Sequence, residues 1–212
     1  MPLYKTITPG EGTKVLIWKI TESFDELSRG VRLTNHCRDR VTGMKSEIHR
    51  RGFMSIRHLL AVEGYVDHDL YYDEDGKPHL KDGTHISITH SFTFSAIVLS
   101  DQEVGIDIEQ QRPKILRIAR KFTPVREYRT MANEDALIRK LTIVWCAKES
   151  LYKSFARRGV SFLEHIRVED FNLEHDSTVA RVHYKGKSGD YAVRFLEFEG
   201  YSCAFAILQQ PA

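Results

Sequence analysis

The longest regular pattern in this 212-residue chain predicts a helix from Glu134 to Arg158, ended by Gly159. At about 100° per residue, its large apolar side chains share one stripe about 120° wide. The stripe consists of Leu137, Leu141, Val144, Trp145, Leu151, Tyr152 and Phe155. A helix with one apolar stripe must bury it against a second layer of structure, so the rest of the chain has to supply that layer.

Short strand patterns supply the layer, and they follow helical patterns in both halves of the chain. In the first half, a helical region near 35–62 precedes strands near 85–91, 93–100 and 103–110. In the second half, strands follow the long helix and continue to residue 209. This order predicts an α+β fold of two similar lobes with a pseudo-twofold relation. Each lobe is a helix packed on a small antiparallel sheet, and we assign them to residues 1–103 and 104–212.

Composition narrows the classes of function. With 42% hydrophobic and 28% charged residues the chain is globular, and a net charge of +2 argues against a nucleic-acid binder despite the basic stretch at 37–51. Three cysteines without a CxxC pattern argue against a zinc site or a disulfide framework. No segment approaches the about 20 apolar residues of a membrane span, and no signal-peptide pattern is present. We therefore expect a cytoplasmic protein.

The long helix carries charges on its apolar side. Lys148 points into the middle of the stripe, and Glu149 and Lys153 lie together at its edge with i,i+4 spacing. One interpretation is an ordinary surface ion pair beside a lysine that extends its ammonium group to water. The other is a polar site at the margin of the core, because a buried charge is costly unless it is paired or ligated.

A second group of acids supports the polar site. In "GIDIE", Asp107 and Glu109 are two residues apart, so on a strand they face the same side. The alternative is a solvated edge strand with two exposed acids. Two adjacent carboxylates repel each other unless a cation or proton lies between them, and Mg²⁺ prefers such oxygen ligands. With Glu149 as a third acid and Lys148 and Lys153 beside it, the residues are typical of a Mg²⁺–phosphate site.

Two upstream stretches offer phosphate donors. In "THS", His90 can donate a hydrogen bond to a phosphate, and Thr89 and Ser91 add hydroxyl donors after the preceding strand. In "GKP" (76–78), a turn presents Lys77. A structural histidine and a plain surface turn are the alternatives.

These stretches in this order resemble the 4′-phosphopantetheinyl transferase superfamily, in its longer surfactin-synthetase-activating type. The matching elements are "GKP", "THS", "VGIDIE" (104–109) and "WCAKESLYK" (145–153), and Glu149 follows Asp107 by 42 positions. "KFTPVREY" (121–128) is similar to the family's intervening motif. Thr89 departs from the family, which more often has serine there.

The resemblance implies transfer of the phosphopantetheine arm of coenzyme A to a serine of a carrier protein, with release of adenosine 3′,5′-bisphosphate. It implies an active site at the interface of the two lobes. Mg²⁺ would be held by Asp107, Glu109 and Glu149. Catalysis would involve Glu149, Lys153 and Asp107. The coenzyme A contacts implied by the resemblance, in the order of the chain, are Arg51, Lys77, Thr89, His90, Ser91, Lys148 and Lys153.

The partner implied by the family is an acidic acyl or peptidyl carrier protein of fatty-acid, polyketide or peptide synthesis. Residues 110–122 interleave basic and apolar residues, and we hypothesise that this segment docks the carrier. An ordinary amphipathic helix with a solvated basic face is the alternative. We expect a monomer. The main competing function is a non-catalytic coenzyme A or nucleotide-binding module, although the presence of all three acids and Lys153 argues against a decayed site.

Overall fold

The structure, a computed structural model, describes residues 3–124 and 131–209. The chain divides into two compact units, Met1–Gln102 (unit 1) and Glu103–Ala212 (unit 2). Each unit combines helices with an antiparallel sheet, so the α+β class is confirmed. The pseudo-twofold relation of the lobes and an active site between them stay predictions. Among the described helices, none has the length and apolar character needed to span a bilayer.

Unit 1 is a four-stranded antiparallel sheet with its strands in the order β1-β2-β6-β5 and a separate β3–β4 hairpin. The strands are β1 (Leu3–Gly10), β2 (Thr13–Lys19), β3 (Leu70–Tyr72), β4 (Pro78–Leu80), β5 (His85–Ser91) and β6 (Phe94–Ser100). The helices are α1 (Phe24–Ser28), α2 (Asn35–Gly43) and α3 (Glu47–Val62). The helical region predicted at 35–62 is therefore two helices, separated at Met44–Ser46, and Thr34 Oγ1 caps the first by accepting from the Cys37 amide.

The core of unit 1 lies between α3 and the sheet. Phe53, Ile56 and Leu60 of α3 are buried in one apolar cluster with Leu16 of β2 and Ile97 of β6. Helix α3 ends at Val62, and Gly64 follows with φ +83°, the left-handed conformation that is common after a helix C-terminus.

A buried ion pair fixes α3 to the turn that follows it. Arg57 Nε lies 2.9 Å from Asp67 Oδ1, and the guanidinium group stacks 3.5 Å from the centre of the Phe53 ring. Burial alone would raise the pKa of Asp67, but the Thr34 amide and the Arg57 guanidinium hold that pKa below its usual value. The pair is therefore charged, and it joins α3, the start of α2 and the residues before β3.

Unit 2 is a five-stranded antiparallel sheet in the order β7-β11-β10-β9-β8. Its strands are β7 (Val104–Gln110), β8 (Ile166–Val168), β9 (Ser177–Tyr184), β10 (Lys187–Phe198) and β11 (Tyr201–Leu208). Its helices are α4 (Lys114–Ile118), continued by a 3₁₀ turn at Ala119–Lys121, and α5 (Glu134–Phe155). Helix α5 ends at Phe155, three residues earlier than predicted, and Ala156 follows it with φ +50°.

Helix α5 is buried on two sides. Its large aromatic side chains pack away from the sheet, with Trp145 5.1 Å from Phe122 and 5.5 Å from Phe162 between ring centres. Its small residues pack on the sheet instead. Ser150 Oγ lies 2.8 Å from the Ala204 carbonyl oxygen, and Cys146 Sγ lies 3.4 Å from that of Ser202. The apolar stripe found in the sequence is therefore real, but the sheet contacts the opposite, small-residue side.

The close contact of α5 with β7 depends on Gly105. A Cβ atom at Gly105 would lie 1.8 Å from the carbonyl oxygen of Ser150, far inside van der Waals contact. The neighbour is helix backbone, so it cannot swing away as a flexible side chain would. The glycine of "GIDIE" thus lets the helix that carries Glu149 approach the strand that carries Asp107.

We expect Gly105→Ala to lower the free energy of unfolding by about 2–3 kcal/mol or more, because helix and strand must separate to admit the methyl group. Urea unfolding measures this loss. Gly43→Ala is the matched control, since a Cβ there meets nothing within 4 Å. Equal stability of the Gly105→Ala variant and the wild-type protein would contradict the close packing.

Candidate functional site

The two acids of "GIDIE" lie side by side on the edge strand of unit 2. Asp107 is opposite Ala204 of β11 and Glu109 is opposite Ser202, so both face the side on which α5 packs. Asp107 is only 6% exposed, and Glu109 is half-buried. The predicted common face of these acids is therefore present.

Lys153 joins α5 to this strand. Its Nζ donates to Asp107 Oδ1 at 2.8 Å and to the carbonyl oxygen of Ile106 at 2.9 Å. The i,i+4 spacing had suggested Glu149 as its partner, but tertiary packing gives it an acid on the neighbouring strand. The pair is mostly removed from water, so its attraction is screened less than that of a surface pair.

The charges of Asp107 and Lys153 also act on Glu149. The pKa of Glu149 is raised to about 7, first by burial and then by the nearby Asp107, while Lys153 partly offsets the rise and Glu109 adds to it. Three acids and one lysine are thus close enough to share one electrostatic environment at the contact of α5 and β7. This environment carries an excess of negative charge.

The donor chemistry of these acids fits a hard divalent cation, since all of the donors are carboxylate oxygens. Within residues 3–124 and 131–209, however, no group of three or more His, Cys, Asp or Glu side chains is arranged as a metal site. The ammonium group of Lys153 provides the positive charge at Asp107. Binding of Mg²⁺ by Asp107, Glu109 and Glu149 therefore stays a prediction.

Lys148 has a different role from the one expected. It is 3% exposed, and its Nζ donates to the carbonyl oxygens of Phe122 and Phe162, each at 2.6 Å, and of Ile166 at 2.7 Å. These three bonds match the three N–H donors of an ammonium group. The expectation that Lys148 binds a coenzyme A phosphate is corrected to a structural role, because its donors are used inside unit 2.

The strand predicted at 85–91 is present as β5, and the "THS" residues are its last three residues. Thr89 and Ser91 are buried, at 6% and 8% exposure, whereas His90 is exposed. Strand alternation places the His90 side chain on the opposite face from Thr89 and Ser91. The three side chains therefore do not converge from one face.

His90 lies against the first half of α3. A Cβ at Gly52 would be 2.9 Å from His90 Cγ, and the ring of His49 is 5.8 Å from that of His90. Gly52 is therefore a positioning residue that the sequence reasoning missed. Its only signal was a glycine inside a helical pattern, which often marks a close approach.

Two arginines extend from the same part of α3. Arg51 Nη2 donates to the Ile20 carbonyl oxygen at 3.0 Å, and the Arg50 guanidinium group stacks 3.9 Å from the centre of the Phe24 ring. The Nε atoms of both are buried and have no hydrogen-bond partner among the described residues. These contacts hold each side chain by one part of its guanidinium group.

Lys77 lies in the β3–β4 turn, as predicted. Asp73 Oδ1 accepts from the backbone amides of Asp75 and Lys77, at 3.0 and 2.9 Å, and Gly76 has φ +83°. The Asp73 side chain thus orders the turn that presents Lys77.

Segment 110–122 buries its apolar residues and exposes its basic ones. Ile115, Ala119 and Phe122 belong to the core of unit 2, whereas the basic residues Lys114, Arg117, Arg120 and Lys121 are exposed. A cavity of about 160 Å³ separates this segment from α5 and the end of β7. Its lining includes Glu109, Arg112 and Trp145. The motif at 121–128 lies partly outside the described residues.

Comparison with known proteins agrees with the resemblance seen in the motifs. Residues 103–206 match the family model described as "4'-phosphopantetheinyl transferase superfamily". The chain is 27% identical over 153 residues to the 4'-phosphopantetheinyl transferase gsp of Aneurinibacillus migulanus. It is 28% identical over 152 residues to the 4'-phosphopantetheinyl transferase Sfp of Bacillus subtilis strain 168. The alignments cover 70% and 68% of this chain but 62% of the length of each relative.

We expect Glu149→Gln to stabilise the metal-free protein at pH 8 by on the order of 2 kcal/mol. The pKa of Glu149 rises from 4.5 to about 7 on folding, so the folded state holds its proton more tightly. Stability therefore falls as pH rises from 4.5 to 7, and glutamine removes this loss. Urea unfolding in EDTA at pH 5 and pH 8 measures the effect.

Glu174→Gln, an exposed site on the same unit, controls for the loss of one negative charge. We expect this variant to show no comparable gain at pH 8. Equal stability of Glu149→Gln and wild-type protein at pH 8 would contradict the shared electrostatic environment of the three acids.

Proposed function

Because residues 103–206 belong to the 4′-phosphopantetheinyl transferase superfamily, we propose that this chain transfers 4′-phosphopantetheine from coenzyme A to a serine of a carrier protein. The reaction is Mg²⁺-dependent and releases adenosine 3′,5′-bisphosphate. The observation that carries the proposal is the group of Asp107, Lys153 and Glu149 at the contact of β7 and α5. This group brings together the motifs "VGIDIE" (104–109) and "WCAKESLYK" (145–153), which are far apart in the sequence.

The reaction exchanges one phosphorus–oxygen bond for another. The serine oxygen forms a bond to the phosphorus that carries pantetheine, and the bond from that phosphorus to the bridging oxygen breaks. Adenosine 3′,5′-bisphosphate leaves with the electron pair of that bond. Such a reaction needs alignment and charge neutralisation more than covalent help from the protein.

The residues of the β7–α5 contact divide these tasks. Asp107, Glu109 and Glu149 would hold Mg²⁺, which neutralises pyrophosphate charge when it is bound. Lys153 donates hydrogen bonds at the same place and offsets the charge that develops on the leaving phosphate. Glu149 also accepts the serine proton, directly or through a water molecule. The two tasks of Glu149 compete, because a carboxylate bound to a metal is a weaker base.

Unit 1 would bind the rest of coenzyme A. Arg51 and His90 are the proposed partners of its 3′-phosphate, and Lys77 is proposed for a phosphate near the β3–β4 turn. Support comes from the cationic surface at the first half of α3, where His90 packs on Gly52 and Arg51 is held by the Ile20 carbonyl. Thr89 and Ser91 face the other side of β5, so they would act through backbone donors or on another part of the ligand.

We expect the protein, incubated with coenzyme A, Mg²⁺ and an apo carrier protein, to add the mass of one phosphopantetheine group to the carrier. Asp107→Asn and Glu149→Gln should each lower kcat by at least about 100-fold, since each removes a charge that the transition state needs. Mass spectrometry of the carrier measures transfer, and circular dichroism checks that the variants are folded.

Glu174→Gln serves again as the control and should transfer at the wild-type rate. No transfer to any fatty-acid, polyketide or peptide-synthetase carrier would contradict the proposed function. Coenzyme A binding without transfer would favour the non-catalytic module instead.

We further propose that segment 110–122 docks the carrier. Its basic residues Lys114, Arg117, Arg120 and Lys121 are all exposed, Lys114 lines the cavity that Glu109 also lines, and carrier proteins of this kind are acidic. Most apolar side chains of the segment are turned into the core of unit 2, so the contact would be mainly electrostatic.

We expect the double variant Arg117→Glu/Arg120→Glu to raise KM for the carrier about 10-fold or more while KM for coenzyme A stays unchanged. The reason is that charge reversal repels an acidic partner and slows its association. Steady-state kinetics at two salt concentrations measures the effect, which should shrink as salt screens it. Lys185→Glu/Lys187→Glu, two exposed lysines in the β9–β10 turn and at the start of β10, is the matched double reversal and should leave both KM values unchanged. An unchanged carrier KM in the first variant would contradict the docking role.

A further inference from the structure

Lys148 is a buried cation in the middle of α5, directly before Glu149. Its ammonium group donates to three backbone carbonyl oxygens at 2.6–2.7 Å, which is close for a hydrogen bond. Hydrogen bonds from a charged donor are about twice as strong as neutral ones. The lysine therefore ties chain segments together in a way that an apolar residue of the same size would not.

The three carbonyls belong to two separate segments. Phe122 is the last residue of the basic segment 110–122, whereas Phe162 lies in the connection between α5 and β8 and Ile166 is the first residue of β8. The rings of Phe122 and Phe162 both pack on Trp145, and Phe162 also packs on Tyr152 at 5.6 Å. Trp145, Lys148 and Tyr152 thus form one side of α5 that gathers both segments.

A second buried lysine of α5, Lys140, contacts a different part of the chain from Lys148. Lys140 is 2% exposed, donates to the Phe171 carbonyl oxygen and pairs with Asp170 at 2.8 Å. It anchors residues 170–171, which are outside the basic segment and the cavity beside Glu109. The two lysines have similar burial on one helix, so they differ mainly in which part of the chain they hold.

We infer that Lys148 is a positioning residue that holds the carrier-docking segment 110–122 at a fixed place on the helix that carries Glu149. The inference rests on the proposed function and on the docking role of that segment. A carrier bound to the basic residues is presented to Glu149 and Asp107 only if the segment keeps its place relative to α5. Lys148 supplies that constraint at the Phe122 end, while β7 supplies it at the Gln110 end.

Loss of the Lys148 hydrogen bonds should affect the two substrates differently. Loss of the three hydrogen bonds frees the Phe122 end of the docking segment, so a bound carrier samples more orientations and binds productively less often. Coenzyme A does not contact this segment in the proposed function. The affinity for the carrier should therefore fall while that for coenzyme A is kept.

The test compares Lys148→Met with Lys140→Met, which remove one buried ammonium group each from the same helix. Both variants should unfold at lower urea concentration than the wild-type protein, because Lys148→Met removes the donor of three backbone carbonyls and Lys140→Met removes the donor of the Phe171 carbonyl and the partner of Asp170. Only Lys148→Met should raise KM for the carrier, by about 10-fold, with KM for coenzyme A within about 2-fold of wild type. Lys148→Gln, whose amide still donates two hydrogen bonds, is the milder variant and should show a smaller selective rise.

Hydrogen exchange followed by mass spectrometry gives a readout that needs no activity. Lys148→Met and Lys148→Gln should speed exchange in residues 115–122 and 160–166, and Lys140→Met should speed it near residues 168–173 instead. Equal rises of the carrier KM in the Lys148 and Lys140 variants, or unchanged exchange in residues 115–122, would overturn the inference. Failure of the wild-type protein to transfer would contradict the proposed function, which the exchange experiment does not depend on.

Discussion

The contact between α5 and β7 is the constraint on which the rest of unit 2 depends. Gly105 lacks the one carbon atom that would separate them, and the Ser150 hydroxyl ties the helix to β11 through the Ala204 carbonyl. This spacing brings a lysine of the helix to 2.8 Å from an aspartate of the strand. Without it, the two motifs would present charges to water and not to each other.

Close packing of α5 buries charged groups, and burial of a charge is unfavourable unless the charge has a partner. Lys148 and Lys153 have partners of different kinds. Lys153 offsets the acids directly, through Asp107, but burial and the remaining negative charge still raise the pKa of Glu149 to about 7. Lys148 donates hydrogen bonds to backbone carbonyls and thereby holds the chain at Phe122 and Ile166 against α5. Within six residues, α5 thus carries an acid with a raised pKa, a lysine paired with an acid of β7, and a lysine that binds backbone carbonyls.

Much of this could be predicted from sequence, because local patterns obey short-range geometry. The period of α5, the common face of Asp107 and Glu109, and the turn at Lys77 all follow from the spacing of a helix, a strand or a turn. The large apolar stripe of α5 was identified correctly, but the stripe did not indicate that the opposite side of the helix packs on the sheet. Small residues such as Cys146 and Ser150 give no strong apolar signal, although they permit the closest approach between a helix and a sheet.

The sequence by itself determined the α+β class, the motifs that resemble the transferase family and the set of acids and lysines, since each depends on residue types at short spacing. Only the tertiary structure decided how the charges are partnered. The i,i+4 spacing indicated Glu149 as the partner of Lys153. In the structure Lys153 instead donates to Asp107 and to the Ile106 carbonyl, both in β7. Lys148 was expected at a phosphate and is held by three carbonyls from residues 122, 162 and 166. The physical reason is that a long, flexible lysine reaches whichever acceptors packing brings near, and their identity is set by contacts far apart in the chain.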